Sequence, residues 1–142
     1  MTAIRYVPQK PPVMAIALAN RANTDLLQRM LGDDFHIQET FAEESAEPHV
    51  TVDLIVVDTA SLKHYWERIL DLRRRAAPLI LPVLLVVDSR SRIPPRITDE
   101  LGYSVNDILR IPATQLELKA RIDNLLRLCA SSTAAGLSPR RY

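Results

Sequence analysis

A single cysteine, Cys129, leaves no partner for an internal disulfide and excludes a thiolate-ligated metal cluster. Alone, it reads as a small hydrophobe on a helix. Glycine is nearly as scarce: there are three in the chain, and none sits in a cluster that could cradle a phosphate. The three histidines do not compensate. His36 lies on the polar face of an edge strand, His49 in a loop and His64 beside aromatic residues, none with a metal-ligand partner at helical spacing. Charge of either sign is also missing as an excess: 18 basic against 17 acidic side chains give no global field to recruit nucleic acid or a membrane. No apolar run approaches the length of a membrane span. The first twelve residues, MTAIRYVPQKPP, lack the apolar stretch of a secretory signal, so a cytoplasmic setting is the expectation.

What is present is ordinary globular material. Hydrophobic residues at 47% and charged ones at 25% over 142 residues suit one domain with a real core. Residues 1–12 read as a flexible N-terminal arm, 13–129 as the domain and 130–142 as a linker or tail. Within the domain, strand-like and helix-like runs alternate. VMAIALA (13–19), DLIVVD (53–58) and PVLLVVD (82–88) are apolar runs short enough for strands covered on both faces. FHIQETF (35–41) alternates as an edge strand does, and NDILRIP (106–112) is a strand running into a proline. Between them, DLLQRML (25–31) has a helical apolar face closed by Gly32, and LKHYWERILDLRRR (62–75) carries Leu62, Tyr65, Trp66, Ile69 and Leu72 at helical spacing. The acidic stretch 42–51 supports at most a short helix, and ITDELGYS (97–104) another. Thr114–Glu117 forms a capping box before a helix carrying Leu116, Leu118, Ile122, Leu125, Leu126 and Cys129. Five such alternations call for a parallel sheet with helices on both faces. Ligand chemistry in these sheets gathers at the carboxyl ends of strands, where Asn20, Asp58 and Asp88 stand.

Four stretches give the chain a family likeness: MAIALANRANTDLLQRML, VDLIVVD, PVLLVVD and VNDILRIPATQLELKARIDNLLRL. They resemble the receiver domain of two-component response regulators from Val13 to Leu128. The resemblance implies an α/β, flavodoxin-like three-layer α/β/α sandwich. Its five-stranded parallel sheet would have order 2-1-3-4-5, with the second helix shortened or absent. It also implies a cis peptide bond between Ile111 and Pro112.

The same resemblance places Asp58 at the phosphoacceptor position and shows what is missing around it. The acid pair that holds magnesium falls on Ala19 and Asn20. The phosphate-binding hydroxyl falls on Val87, the lysine on Ile111 and the aromatic switch residue on Ile108. Proline is also absent from TASL after Asp58. A phosphoryl group there would be a dianion without its metal or fixed cation. Loss of even one such charge stabiliser costs roughly 3–4 kcal/mol in the transition state. The chain therefore resembles a degenerate, pseudo-receiver type with no catalytic residue and no cofactor.

Two readings of the strand-end acids stay open. Asp58, Asp88 and Asn20 are candidate oxygen ligands for a divalent cation. Alternatively, Asp88 caps the SRSR loop or pairs with Arg90 or Arg92. Arg73–Arg75 with Arg90, Arg92 and Arg96 read as solvated charge at a helix end rather than a nucleic-acid patch.

The functional expectation is a non-catalytic signalling module of a two-component or phosphorelay system. It would act through a protein partner or homodimer to regulate an attached or partner output or sensor domain. Receiver surfaces place the contact residues at Ile97, Leu101, Leu118, Ile122 and Leu125. The alternative is an atypical receiver phosphorylated on Asp58 with magnesium as its cofactor. A further alternative is a small-ligand sensor using the strand-end pocket.

Overall fold

The apolar runs become interior strands because helices cover both of their faces. The computed structural model describes residues 11–38, 52–90, 92 and 105–137, with side chains to residue 128. It contains strands β1 (Val13–Ala17), β2 (His36–Gln38), β3 (Leu54–Val57), β4 (Val83–Asp88) and β5 (Asp107–Ile111). They form one parallel sheet in the order β2-β1-β3-β4-β5, the order the family likeness implies. Helices α1 (Arg21–Leu31), α2 (Thr59–His64), α3 (Trp66–Ala76) and α4 (Gln115–Leu137), with a 3-10 turn at Gly32–Asp34 after α1, complete the described elements. The expected short helices in 42–51 and 97–104 lie outside the described residues, as do His49, Arg96, Ile97 and Leu101.

Side chains alternate along each strand, dividing the core in two. On one face Met14, Ile16, Leu54, Val56, Leu84, Val86 and Leu109 meet Leu27 and Leu31 of α1 and Leu118, Ile122 and Leu125 of α4. On the other, Ala15, Ala17, Ile55, Val57, Leu85 and Val87 meet Leu62 of α2 and Ile69 of α3. Each buried Leu, Ile or Val contributes roughly 1.5–3 kcal/mol of transfer free energy. Trp66 and Tyr65 are partly buried and pack against the second cluster, in keeping with a core role.

This packing corrects the proposed contact surface. Leu118, Ile122 and Leu125 are 1%, 0% and 5% exposed, so they form the interior of α4 rather than a face for a partner. The broad apolar arc read from the sequence is consumed by the sheet and α1. Among the described side chains of that arc, Leu126 is partly buried and Leu116 is left outside, at 80% exposure.

Two helix boundaries also differ from expectation. The single helix expected at 62–75 begins at Thr59 and is divided at Tyr65 (φ −103°, ψ 16°). Backbone bonds from Tyr65 N to Ser61 O and from Ile69 N to Tyr65 O, both 2.9 Å, carry the chain through the break. At the C-terminus, α4 continues to Leu137, eight residues into the stretch read as a linker. Ala130, Ala134 and Ala135 favour helix, and the first proline comes only at Pro139. At the N-terminus, Pro12 O already accepts from His36 N at 2.9 Å, so sheet pairing starts within the supposed arm.

Polar side chains lock the element ends. Asp53 Oδ2 accepts Val13 N at 2.8 Å. Asn106 Oδ1 accepts both Val83 N and Arg73 Nη2 at 2.8 Å, and Arg73 Nε donates to Leu81 O at 3.3 Å. Arg73 is therefore a half-buried structural cation, not solvated charge, and desolvation lowers its pKa. Asp71 pairs with Arg75 at 3.1 Å. Arg121 Nη1 grips both oxygens of Asp107, at 2.9 and 3.0 Å, docking α4 on β5. The Asp107 hydrogen bond is the main cause of a raised Arg121 pKa. Glu117 N donates to Thr114 Oγ1 at 3.0 Å, the expected capping bond. The Glu117 carboxylate is directed at Arg121, 3.5 Å away. The Ile111–Pro112 bond is cis, as the likeness implies; Ala77–Pro78 is cis as well, without a sequence signal.

Candidate functional site

Position 58 follows β3 directly, where the strand gives way to α2. The half-buried Asp58 is the N-cap of α2: Oδ1 accepts Ser61 N at 2.8 Å. Its other oxygen, Oδ2, accepts Ala19 N at 2.7 Å, from the chain leaving β1. Both carboxylate oxygens thus serve backbone amides of two neighbouring crossovers. A carboxylate is a strong acceptor for helix-start N–H groups, so this use stabilises both turns.

The neighbouring candidates are occupied separately. Asn20 caps α1, its Oδ1 accepting Ala22 N at 2.9 Å and Asn23 N at 3.3 Å. Ala19 is exposed and offers only its amide. Asp88 is exposed at the end of β4, and its Oδ1 accepts Arg90 N at 2.8 Å, closing the turn into the SRSR loop. The loop cap expected of Asp88 is present. Val87 and Ile111 are buried at 5% and 8% exposure, on opposite sheet faces, and half-buried Ile108 packs against the α2–α3 side. Among the described residues no group of three or more His, Cys, Asp or Glu side chains is placed to hold a metal ion. No described helix is long and apolar enough to cross a membrane.

A strand-end pocket does exist beside these positions. It is an open groove of about 520 Å³ at the carboxyl end of β1, between α1 and α2. Ala17, Leu18 and Ala19 form its base, with Arg21 and Thr24 on one side and Ala60, Ser61, His64 and Tyr65 on the other. The His64 and Tyr65 rings meet edge to face, with centroids 4.6 Å apart. Arg21, Thr24, Ser61 and Tyr65 were not marked as site residues by any motif. The small side chains at 17, 19 and 60 were the one available signal.

No family model and no curated protein matches the sequence. Solved structures do match the fold. A response regulator receiver modulated diguanylate cyclase from Pelobacter carbinolicus superimposes with TM-score 0.60 at 17% identity, covering 87% of this chain and 98% of that one. A putative pilus assembly-related protein from Burkholderia pseudomallei gives TM-score 0.59 at 20% identity, covering 89% and 97%. Full-length FixJ from B. japonicum gives 0.63 at 17% identity, covering 83% of this chain and 59% of that one. The fold of the chain is the response-regulator receiver fold.

Proposed function

We propose that this receiver-fold chain is a signalling module of the two-component type that works by protein contact, without phosphoryl transfer. The observation that supports this most is the double use of Asp58. Its Oδ1 and Oδ2 each accept a backbone amide, so phosphorylation of Asp58 would disturb a bond that holds one of the two turns. A magnesium ion would need carboxylates at positions 19 and 20 as well. The residues there are an alanine and an asparagine whose side-chain oxygen caps α1, so the residues present do not fit the ion. Buried Val87 and Ile111 supply no hydroxyl or cation for phosphoryl oxygens.

The similar structures support the setting of this module. One is a receiver modulated diguanylate cyclase, and in FixJ the matched part is 59% of the chain. On that pattern the module regulates an output or sensor domain, attached or in a partner, and functions in the cytoplasm.

The deciding experiment is incubation with acetyl phosphate and magnesium followed by intact-protein mass measurement. The mass is expected to stay unchanged. An added phosphoryl mass that disappears in Asp58→Ala would overturn this reading in favour of an atypical phosphorylated receiver. Sizing at several concentrations then separates a homodimer from a module that needs a different protein.

A further inference from the structure

The groove at the carboxyl end of β1 has features that neither the core nor the proposed signalling role uses. It lies where α1 leaves β1 toward β2 and α2 leaves β3 toward β4 on the opposite sheet face. This is the switch point of the sheet, at which crevices open in such folds. Its base is kept empty by alanines at 17 and 19, with a third, Ala60, on the α2 wall. About 520 Å³ falls within the range of small-molecule sites.

Two hydroxyl residues give the groove polarity. Thr24 and Ser61 are 5% and 7% exposed, stand on opposite walls and line the groove. Both residues line the groove, so their hydroxyls can donate to or accept from a bound group. Arg21, whose Nε meets Asp25 at 3.3 Å on the exposed surface, brings positive charge to the α1 wall. None of the described lining residues is acidic, although the receiver likeness puts a metal-binding carboxylate pair at Ala19 and Asn20. Without that pair less negative charge stands at the groove: the Asp58 carboxylate is held by the Ala19 and Ser61 amides, and Asp25 is paired with Arg21. Leu18 and the Tyr65 ring add apolar surface for a ligand body.

We propose that this groove binds a small organic anion. Its carboxylate or phosphate group would meet Arg21 and the Thr24 and Ser61 hydroxyls, and its planar or apolar part would lie over Ala17, Leu18 and Tyr65. Binding would bridge α1 and α2, the two helices whose starts Asp58 already ties together, so the anion would act on the same junction that a phosphoryl group would otherwise occupy.

The test is an amide NMR titration of the whole chain, without magnesium or phosphodonor, using benzoate, phenyl phosphate and benzylamine. A lack of binding would leave the mass experiment unaffected, so the two readings fail separately. Saturable shifts at Ala19, Ala60 and Ser61 are expected with benzoate, phenyl phosphate or both, and none with benzylamine. The responding anion identifies the headgroup. Arg21→Gln and Thr24→Val are expected to weaken binding about tenfold each, and Ala60→Leu to abolish it by filling the groove. Arg21 and Ala60 are exposed, so these variants keep the fold. Failure of both anions to saturate, an equal response to benzylamine, or unchanged affinity in Ala60→Leu would overturn the proposal.

Discussion

Asp53 and Asp58, the two acids that bracket β3, each hold one end of β1. Asp53 Oδ2 accepts Val13 N at 2.8 Å, and Asp58 Oδ2 accepts Ala19 N at 2.7 Å. The acids flanking an apolar strand are thus cross-strand clamps. Both satisfy backbone groups where the ladder ends and the chain turns away.

Removing the clamps should weaken the fold by predictable amounts. Asp58→Ala forfeits an N-cap bond and the bond to Ala19 N, together about 2 kcal/mol. Asp58→Asn keeps an acceptor oxygen and should lose about half of that. Asp53→Ala should cost about 1 kcal/mol. The two sites are at opposite strand ends, so the double variant should equal the sum of the singles to within about 0.5 kcal/mol. Urea unfolding of the four proteins measures each value.

Asn106 is expected to be more sensitive than its partial exposure suggests. Its Oδ1 serves the buried Val83 N and the half-buried Arg73 guanidinium at once. Asn106→Ala leaves the buried Val83 amide unmatched and removes one of the hydrogen bonds of the half-buried Arg73 guanidinium, a loss of about 2–3 kcal/mol. Arg73→Met removes the desolvated cation along with its need for a partner and should cost less. Thermal unfolding of the two variants should place Asn106→Ala clearly below Arg73→Met.

The interior position of α4 can be tested against an interface role. Ile122→Ala should cost about 2–5 kcal/mol of stability without changing the molecular mass in solution. Leu116→Ala, at an 80% exposed position, should stay within about 0.5 kcal/mol of the parent protein. An Ile122→Ala protein of unchanged stability but altered oligomeric state would restore the surface reading of α4.

Strand identity was legible because burial on both faces leaves an unmistakable composition. VMAIA, LIVV and VLLVVD contain almost no polar residue, and their alternation with helical periods dictates a parallel, doubly covered sheet. Gly32, with φ of +62°, ends α1 where its lack of a side chain predicted. The residues around position 58 were equally legible as types: an aspartate, an alanine and asparagine, a valine and an isoleucine. Their identity is what carries the expectation of a receiver without phosphoryl transfer.

What the sequence could not decide is where each group's partners lie. Apolar residues on α4 look the same whether they face a sheet or a second protein; only docking against β5 and α1 put Leu118, Ile122 and Leu125 inside. The run LKHYWERILDLRRR has one helical period throughout, yet the Asp58 cap and the turn at Tyr65 divide its helix in two. Arg73 reads as one of three like arginines until Asn106, 33 residues away, claims its guanidinium. Local pattern determined the strands and their order of appearance. Tertiary structure decided the use of Asp58, because its two hydrogen bonds reach Ser61 three residues on and Ala19 across the sheet. Only the first of those partners is within reach of a helix-capping rule.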